Sequence, residues 1–89
     1  MNITFTRSFE RTLAPSPKNQ KIKESAEKIL TAFEEGQKPA GVGLKKLRDN
    51  IWEARVDIRV RVLFAIEPGE LKFLLAGDHN EIKKYLKNS

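Results

Sequence analysis

The sequence predicts an α+β fold in which two N-terminal helices pack on a mainly antiparallel sheet of four or five strands, followed by a short C-terminal helix. Two observations support this prediction. Apolar residues recur at helical spacing up to residue 36, whereas after residue 43 they alternate with polar residues, as they do in strands. Turn-forming pairs, Asp49-Asn50 and Pro68-Gly69, then divide the second half into segments of strand length.

The first half of the chain is predicted to contain a short strand and two helices. Ile3 and Phe5 alternate with polar neighbours, which predicts the strand. Residues 7–14 carry apolar side chains four positions apart, as one face of a helix would, and prolines end this helix. The second helix is predicted to begin with Ser16-Pro17, a favourable N-cap followed by proline at the first helical position, and to stop at Gly36.

The second half is predicted to contain four strands and a closing helix. The strands are expected at residues 44–48, 51–56, 59–67 and 70–77, and the helix at residues 79–87. A chain of 89 residues leaves no room for a second folded unit, so we expect a single domain over residues 1–89. Its core is expected to be thin and one-sided, because 33% of the residues are charged.

The turns also predict which strand residues lie opposite each other. The predicted pairs are Ile66 with Leu71, Phe64 with Phe73, Val62 with Leu75, Leu47 with Trp52, Lys46 with Glu53, Glu53 with Arg61, and Arg55 with Arg59. Side chains alternate between the two faces of a sheet, so this register separates apolar from charged residues. The charged face would gather Lys46, Glu53, Arg55, Arg59 and Arg61, with His79 at its edge.

The charge balance favours an acidic partner. Lysine and arginine number 17 against 12 acidic residues, which gives a formal net charge of +5. Arg55 directly opposite Arg59 would destabilise the sheet unless an anion lay between them. An ordinary solvated surface would also be charged, but the excess of positive residues on one face favours a binding site.

Composition also excludes several classes of protein. The chain has no cysteine and one histidine, so disulfides and thiolate or histidine-rich metal sites are not expected, and no cofactor is predicted. The N-terminus lacks the apolar core of a signal peptide, and no apolar run approaches the ~20 residues that cross a bilayer. We therefore expect a cytoplasmic protein without a membrane partner.

The residue types on the charged face suit RNA cleavage without a metal. That reaction requires a base for the 2′-hydroxyl proton, cations for the phosphate and an acid for the leaving oxygen. Glu53 is a candidate base, Arg61 a candidate phosphate ligand and His79 a candidate acid. From the residues alone, Glu53 is equally an ion-pair partner for Arg61 or Lys46, and His79 equally part of a helix N-terminus. Tyr85 would stack on a base or only cover the sheet.

The runs GLKKLRDNIWEARVDIRVRVLFAI and LLAGDHNEIKKYL resemble the central and C-terminal signature of the RelE/ParE-type toxins. That family typically shows a leucine- and lysine-rich strand, then a Trp-x-x-Arg-Val strand, then an Arg-Val-Leu-Tyr/Phe strand. The resemblance implies a RelE-like fold and a toxin that cuts mRNA in the ribosomal A site. It also implies a cognate antitoxin that holds the toxin inactive, and we expect this antitoxin to set the oligomeric state.

The resemblance further implies roles for single residues. Glu53 matches the base on the tryptophan-bearing strand, and Arg61 matches the phosphate-binding arginine on the next strand. His79 and Tyr85 resemble the histidine or arginine and the tyrosine that the family often carries near its C-terminus. Lys45, Lys46 and Arg48 look like the basic strand that grips RNA, and Arg55 and Arg59 of the charged face are expected to bind RNA with them.

Two features depart from the family pattern, and two other functions stay open. Residues 57–60 are not the common Gly-Asp-Tyr turn, and Asp78 lies where some relatives carry a cation. The ParE branch poisons gyrase with the same fold, so a gyrase inhibitor or an inactive relative that retains antitoxin binding is the alternative. A plain nucleic-acid-binding module is disfavoured, because Trp52, Phe64 and Phe73 are expected to face the core.

Overall fold

Five strands and three helices make up the residues that the computed structural model describes, which are 2–13, 18–36 and 43–88. The strands are β1 (Asn2–Phe5), β2 (Lys45–Arg48), β3 (Ile51–Arg55), β4 (Arg61–Glu67) and β5 (Glu70–Gly77). The helices are α1 (Arg7–Leu13), α2 (Asn19–Glu34) and α3 (His79–Lys87). The predicted α+β class is confirmed, while the predicted cap at residues 16 and 17 and the loop before Gly43 lie outside the described residues. Within the described ranges, no helix combines the length and apolar character needed to cross a membrane.

The sheet is mixed, with the strand order β1-β5-β4-β3-β2. β1 runs parallel to β5, and the other neighbouring pairs are antiparallel. A parallel pair needs a crossover connection, and α1 follows β1 directly and packs against β5. The two strands that carry Glu53 and Arg61 are therefore inside the sheet, with β1 and β2 at its edges.

The main core lies between the sheet and the first two helices. Phe64 and Phe73 are fully buried, and their rings lie 5.7 Å apart, as the predicted pairing of these residues requires. Phe9 of α1 packs on Phe73 at 5.6 Å. Burying each of these rings stabilises the fold by roughly 1.5–3 kcal/mol. The remaining buried members of this cluster are Ile22, Ala26, Ile29, Ala54, Val62, Leu71 and Ala76.

The predicted one-sided core is wrong. Leu63 alternates with Phe64 and so lies on the face of Glu53, and a register shift in the last hairpin moves Leu75 to that same face. The shift lies between the Leu63 and Phe64 pairs, so Leu63 rather than Val62 is opposite Leu75. An extra residue in one strand reverses the facing of every side chain beyond it. Leu63 and Leu75 therefore form a second buried cluster with Ile82 of α3. The consequence is that α3 packs on the face that carries Glu53.

A second irregularity changes the predicted pairing of β2. The pairs are Lys45 with Glu53 and Lys46 with Trp52, and the register shifts between Lys46 and Arg48. The predicted pairs of Leu47 with Trp52 and of Lys46 with Glu53 are therefore wrong. Leu47 packs against the second cluster instead of the main core. Lys45, not Lys46, shares a face with Glu53.

The connection between β3 and β4 is longer than predicted. Residues 56–60 form this loop, whose base is closed by hydrogen bonds from the Val56 and Asp57 amides to the Val60 carbonyl, at 2.9 and 3.0 Å. Arg55 consequently lies opposite Arg61 and not Arg59. The error shifts the predicted register by two positions, and side chains alternate with a period of two. Each side chain of β3 and β4 therefore keeps the face that the sequence predicted.

Asp57 ties this loop to the start of α2. Its carboxylate lies 2.9 Å from the Lys18 Nζ and 3.7 Å from the Lys21 Nζ, and it also accepts a hydrogen bond from the Ile58 amide. The hydrogen bond from Lys18, then that from Ile58, lowers the pKa of Asp57 from 3.8 to about 2. The carboxylate is thus more easily ionised in the folded protein than in the unfolded chain.

We expect Asp57→Asn to lower the melting temperature at neutral pH and to matter less in acid. A lowered pKa contributes stability that is present above the unfolded value and is lost as the pH falls through the folded value. The difference between wild type and variant should therefore shrink between about pH 4 and about pH 2. Thermal unfolding at a series of pH values measures it, with Asp49→Asn in another turn as the control. A difference that stays constant across this range would refute the role of Asp57.

Candidate active site

An ion pair between Glu53 and Arg61 lies inside the sheet. Glu53 is only 5% exposed, and its carboxylate accepts a hydrogen bond from the Arg61 guanidinium. Leu63 is directly opposite Glu53, so the ion pair runs diagonally between β3 and β4. A buried carboxylate is costly unless charge and hydrogen bonds compensate for lost water, and Arg61 supplies both. The predicted proximity of the two side chains is confirmed, whereas their direct pairing is wrong.

A second arginine lies beside this pair. Arg55 is exposed at the end of β3 and stands directly opposite Arg61. Like charges placed opposite each other destabilise a sheet. The single negative charge of Glu53 can compensate one of the two guanidinium groups, so the three side chains together carry a net positive charge. The charge conflict that the sequence predicted is therefore present with Arg61 in place of Arg59, and it makes this end of the strands attractive to an anion.

His79 is the first residue of α3, and a capping box holds that helix start. The Asp78 carboxylate accepts a hydrogen bond from the Glu81 amide at 2.8 Å, and the Glu81 carboxylate accepts one from the Asp78 amide at 3.1 Å. Gly77 leaves room for this arrangement, since a Cβ on it would lie 3.0 Å from the Glu81 Cδ. His79 itself is exposed. Its backbone position is thus defined while its ring stays accessible.

A depression of about 210 Å³ brings His79 together with Arg61. Its walls are formed by Ile58, Arg59, Arg61, Asp78, His79 and Asn80, and we call it the His79 depression. Arg61 therefore connects two candidate residues, because it binds Glu53 and also lines the depression with His79. The sequence prediction that His79 lies at the edge of the charged face agrees with this lining.

Tyr85 lies elsewhere on the same helix. It is half-buried, packs against the second cluster and lines a different depression with Leu75 and Lys84. Six residues separate it from His79, which corresponds to about 9 Å along a helix axis. Tyr85 is therefore on the same face of the sheet as Glu53 but not in the His79 depression.

The predicted RNA-binding residues divide between two faces. Arg48 is opposite Ile51, whose side chain packs in the second cluster, and its guanidinium donates to the Leu86 carbonyl at 3.2 Å. Lys46 is opposite Trp52, which packs against the main core, so Lys46 lies on the other face. Of the predicted phosphate- and RNA-binding residues, Lys45, Arg48, Arg55 and Arg61 share the face of Glu53, and Arg59 is exposed in the 56–60 loop beside them.

Arg11 is a basic residue near the site that the sequence pattern did not indicate. It lies on α1 and lines a depression of about 440 Å³ that shares Arg59 and Asp78 with the His79 depression. Glu81 also lines this space, so its charges are mixed. No local pattern relates α1 to the end of β5. Only the tertiary packing of these two elements brings Arg11 to this place.

These side chains have the chemical types for handling a phosphate ester. A guanidinium binds phosphate oxygens through paired hydrogen bonds, a carboxylate can serve as a proton acceptor, and an imidazole can accept or donate a proton. Within the described ranges, no group of three or more histidine, aspartate or glutamate residues is placed to hold a metal ion. The chemistry that these residues themselves can supply is proton transfer and charge stabilisation.

No protein-family model matches the sequence. No curated protein matches it in sequence either. Solved structures, however, are similar in fold. A chain of the E. coli DinJ-YafQ toxin-antitoxin complex has a TM-score of 0.73 at 16% sequence identity, over 91% of this chain and 94% of that one.

Two further structures show the same likeness. A chain of the RelB-RelE antitoxin-toxin complex from Methanococcus jannaschii has a TM-score of 0.69 at 15% identity, over 92% of this chain and 96% of that one. The YoeB/ParE toxin from Agrobacterium tumefaciens has a TM-score of 0.67 at 17% identity, over 89% of this chain and 99% of that one. The predicted RelE-like fold is thereby confirmed.

Proposed function

We propose that this protein is the toxin of a toxin-antitoxin system and that it cleaves mRNA on the ribosome by acid-base catalysis without a metal. The observation that carries the proposal is the position of Arg61, which binds the buried Glu53 carboxylate and lines one depression with His79. The RelE-like fold and the resemblance of β3 and β4 to the RNA-cleaving branch support it. The 89 residues are proposed to act as one toxin domain in the cytoplasm.

In the proposed reaction, Glu53 accepts the proton of a ribose 2′-hydroxyl. The 2′-oxygen then bonds to the adjacent phosphorus, and the bond from phosphorus to the 5′-oxygen breaks. His79 gives that oxygen a proton, so the products are a 2′,3′-cyclic phosphate and a 5′-hydroxyl. Arg61 stabilises the negative charge that develops on the phosphate. A phosphate bound to Arg61 competes with Glu53 for the guanidinium and leaves the carboxylate able to accept a proton.

The other basic side chains on this face are proposed to bind the RNA backbone. Lys45, Arg48, Arg55 and Arg59 would contact phosphates, which positions the strand without reading its sequence. Tyr85 is outside the His79 depression and is proposed to stack on a neighbouring base. Because each phosphate contact releases counterions, RNA binding should weaken steeply as salt is raised.

A cognate antitoxin is the proposed protein partner. Chains of similar fold occur in complexes named for DinJ with YafQ and for RelB with RelE. With a net charge of +5, this protein should bind an antitoxin segment that combines acidic and apolar residues. The antitoxin is also proposed to set the oligomeric state of the complex.

Single-turnover cleavage of mRNA on programmed ribosomes tests the proposed function. The wild type should cut in the A site, and His79→Ala should cut about 10²-fold more slowly, because the leaving oxygen loses its acid. Gln20→Ala, an exposed change on α2, should cut at the wild-type rate. A His79→Ala protein with full activity would remove His79 from the mechanism. A wild type that leaves mRNA intact but inhibits supercoiling by gyrase would establish the ParE-like alternative.

A further inference from the structure

The 56–60 loop exposes an isoleucine beside the candidate active site. Ile58 is 85% exposed, and the other strongly exposed large apolar residue in the described ranges, Phe5, is 45% exposed and stacks on Phe9 at 5.4 Å. A single apolar side chain on a surface needs no special explanation. The surroundings of Ile58 distinguish it, since the loop is held in place and its neighbours are cationic.

Hydrogen bonds and ion pairs hold the loop on both sides of Ile58. The Val60 carbonyl accepts the Val56 and Asp57 amides at 2.9 and 3.0 Å, which closes the base of the loop. The Asp57 carboxylate accepts the Ile58 amide at 2.6 Å and binds Lys18 at 2.9 Å. The start of α2 thus compensates the negative charge of Asp57. Because the loop that carries Ile58 is already held in place, a ligand that binds to Ile58 loses little affinity to the ordering of the loop.

The space next to Ile58 has the size and charge to bind one small chemical group that combines a negative charge with an apolar surface. The His79 depression holds about 210 Å³, which is below the lower end of ~300 Å³ for pockets that take whole small molecules. Arg59 and Arg61 line it, and the one acidic wall residue, Asp78, is engaged by the Glu81 amide. Ile58 supplies the apolar wall. A nucleotide within a longer strand has this combination of a phosphate and a flat apolar base.

We propose that Ile58 and Arg59 form a subsite for one RNA nucleotide next to the cleaved bond. Its base packs on the Ile58 side chain, and its phosphate binds the Arg59 guanidinium. RNA is favoured over a peptide because the same depression contains Arg61 and His79, and two consecutive phosphates of one strand match two neighbouring arginines. The subsite rests on the proposed function, and it adds a determinant of affinity and of nucleotide preference.

Binding of uncleavable mRNA tests the subsite separately from cleavage. The probe is a programmed ribosome whose A-site codon carries 2′-deoxy sugars, so that no 2′-oxygen can attack. Ile58→Ala should raise the dissociation constant of the protein about tenfold, because the variant loses most of the apolar area that the base covers. Ile58→Leu should stay within about twofold of wild type, because it keeps an apolar wall. Arg59→Ala should weaken binding and reduce its dependence on salt.

A control and a crosslink sharpen the test. Thr31→Ala changes an exposed residue of α2 and should leave the dissociation constant unchanged. Because Ile58 and Thr31 are both exposed, both variants should keep the wild-type melting temperature. With 4-thiouridine in the A-site codon, irradiation should link the RNA to a peptide that contains Ile58 in the wild type.

Unchanged mRNA binding by Ile58→Ala would overturn the subsite. If that variant also bound the antitoxin more weakly, the loop would be assigned to the protein partner. Loss of the proposed nuclease has a different signature. A wild type that binds uncleavable mRNA through Ile58 but never cuts the normal strand would retain the subsite and remove the catalytic scheme.

Discussion

Replacing Arg61 with alanine should abolish detectable mRNA cleavage and growth arrest. In the proposed reaction this guanidinium stabilises the charge on the phosphate, and removing one such donor typically costs ~10²–10³-fold in rate. The same change leaves the buried Glu53 carboxylate without the cation that compensates it. Repulsion by the unpaired carboxylate should then further weaken phosphate binding. Single-turnover cleavage on programmed ribosomes and growth after induction measure these effects.

The structure adds a cost in stability to this prediction. From the sequence alone Arg61→Ala leaves the domain intact, because the side chain points away from the main core. Removing one partner of a buried ion pair, however, typically destabilises a protein by ~3–5 kcal/mol, and less here because the Arg61 side chain is 24% exposed. The variant should therefore unfold at a lower urea concentration than wild type.

A double variant separates catalysis from stability. Glu53→Gln combined with Arg61→Ala removes the unpaired charge, so it should recover part of the lost stability and no activity. Arg61→Lys keeps the charge but loses the planar fork, and it should be folded and only weakly active. If the double variant cleaved mRNA as fast as wild type, Arg61 would have no part in the chemistry.

Glu53→Gln should lower single-turnover cleavage by about 10²–10⁴-fold, the range that a positioned base contributes. Glutamine has nearly the same shape and can still accept a hydrogen bond from Arg61, but it cannot take a proton at neutral pH. The loss of rate should exceed that of His79→Ala. A water molecule can replace the lost acid at the exposed position of His79 more easily than it can replace the lost base at Glu53, which is 5% exposed. Binding to the ribosome should be retained, since no basic residue is lost.

A matched control distinguishes a base from an ion-pair partner. Glu67→Gln, at the far end of β4, makes the same chemical change away from Arg61 and should keep the wild-type rate of cleavage. A Glu53→Gln protein with the wild-type rate would show that Glu53 only holds Arg61.

Much of the fold could be predicted from the sequence because its signals are local. The change from helical to alternating spacing near Gly43 and the turn pairs located the elements within a few residues. The positive φ of 73° at Gly69 is the backbone conformation that a type II turn requires there. Local signals also predicted the correct face for Glu53 and Arg61, because the error between β3 and β4 was an even number of positions.

The irregularities of register could not be predicted in the same way. The alternation of apolar and polar residues near Leu74 and Leu47 does not mark an extra residue. Helices cover both faces of the sheet, so an apolar side chain fits either face. The stability of each register depends on α3 packing over Leu63 and Leu75, and that contact joins distant parts of the chain. This is why Lys46 was assigned to the wrong face and Lys45 lies opposite Glu53 instead.

The sequence by itself determined the α+β class, the order of elements and the shared sheet face of Glu53, Arg55 and Arg61. Those properties follow from residue spacing, turn residues and charge, which act over a few positions along the chain. Only the tertiary structure decided that Glu53 is buried against Arg61, that Arg61 meets His79, and that Tyr85 lies apart from them. These relations depend on the bulges and on the docking of α3, where the free energies of packing, desolvation and charge balance across the whole domain select one arrangement.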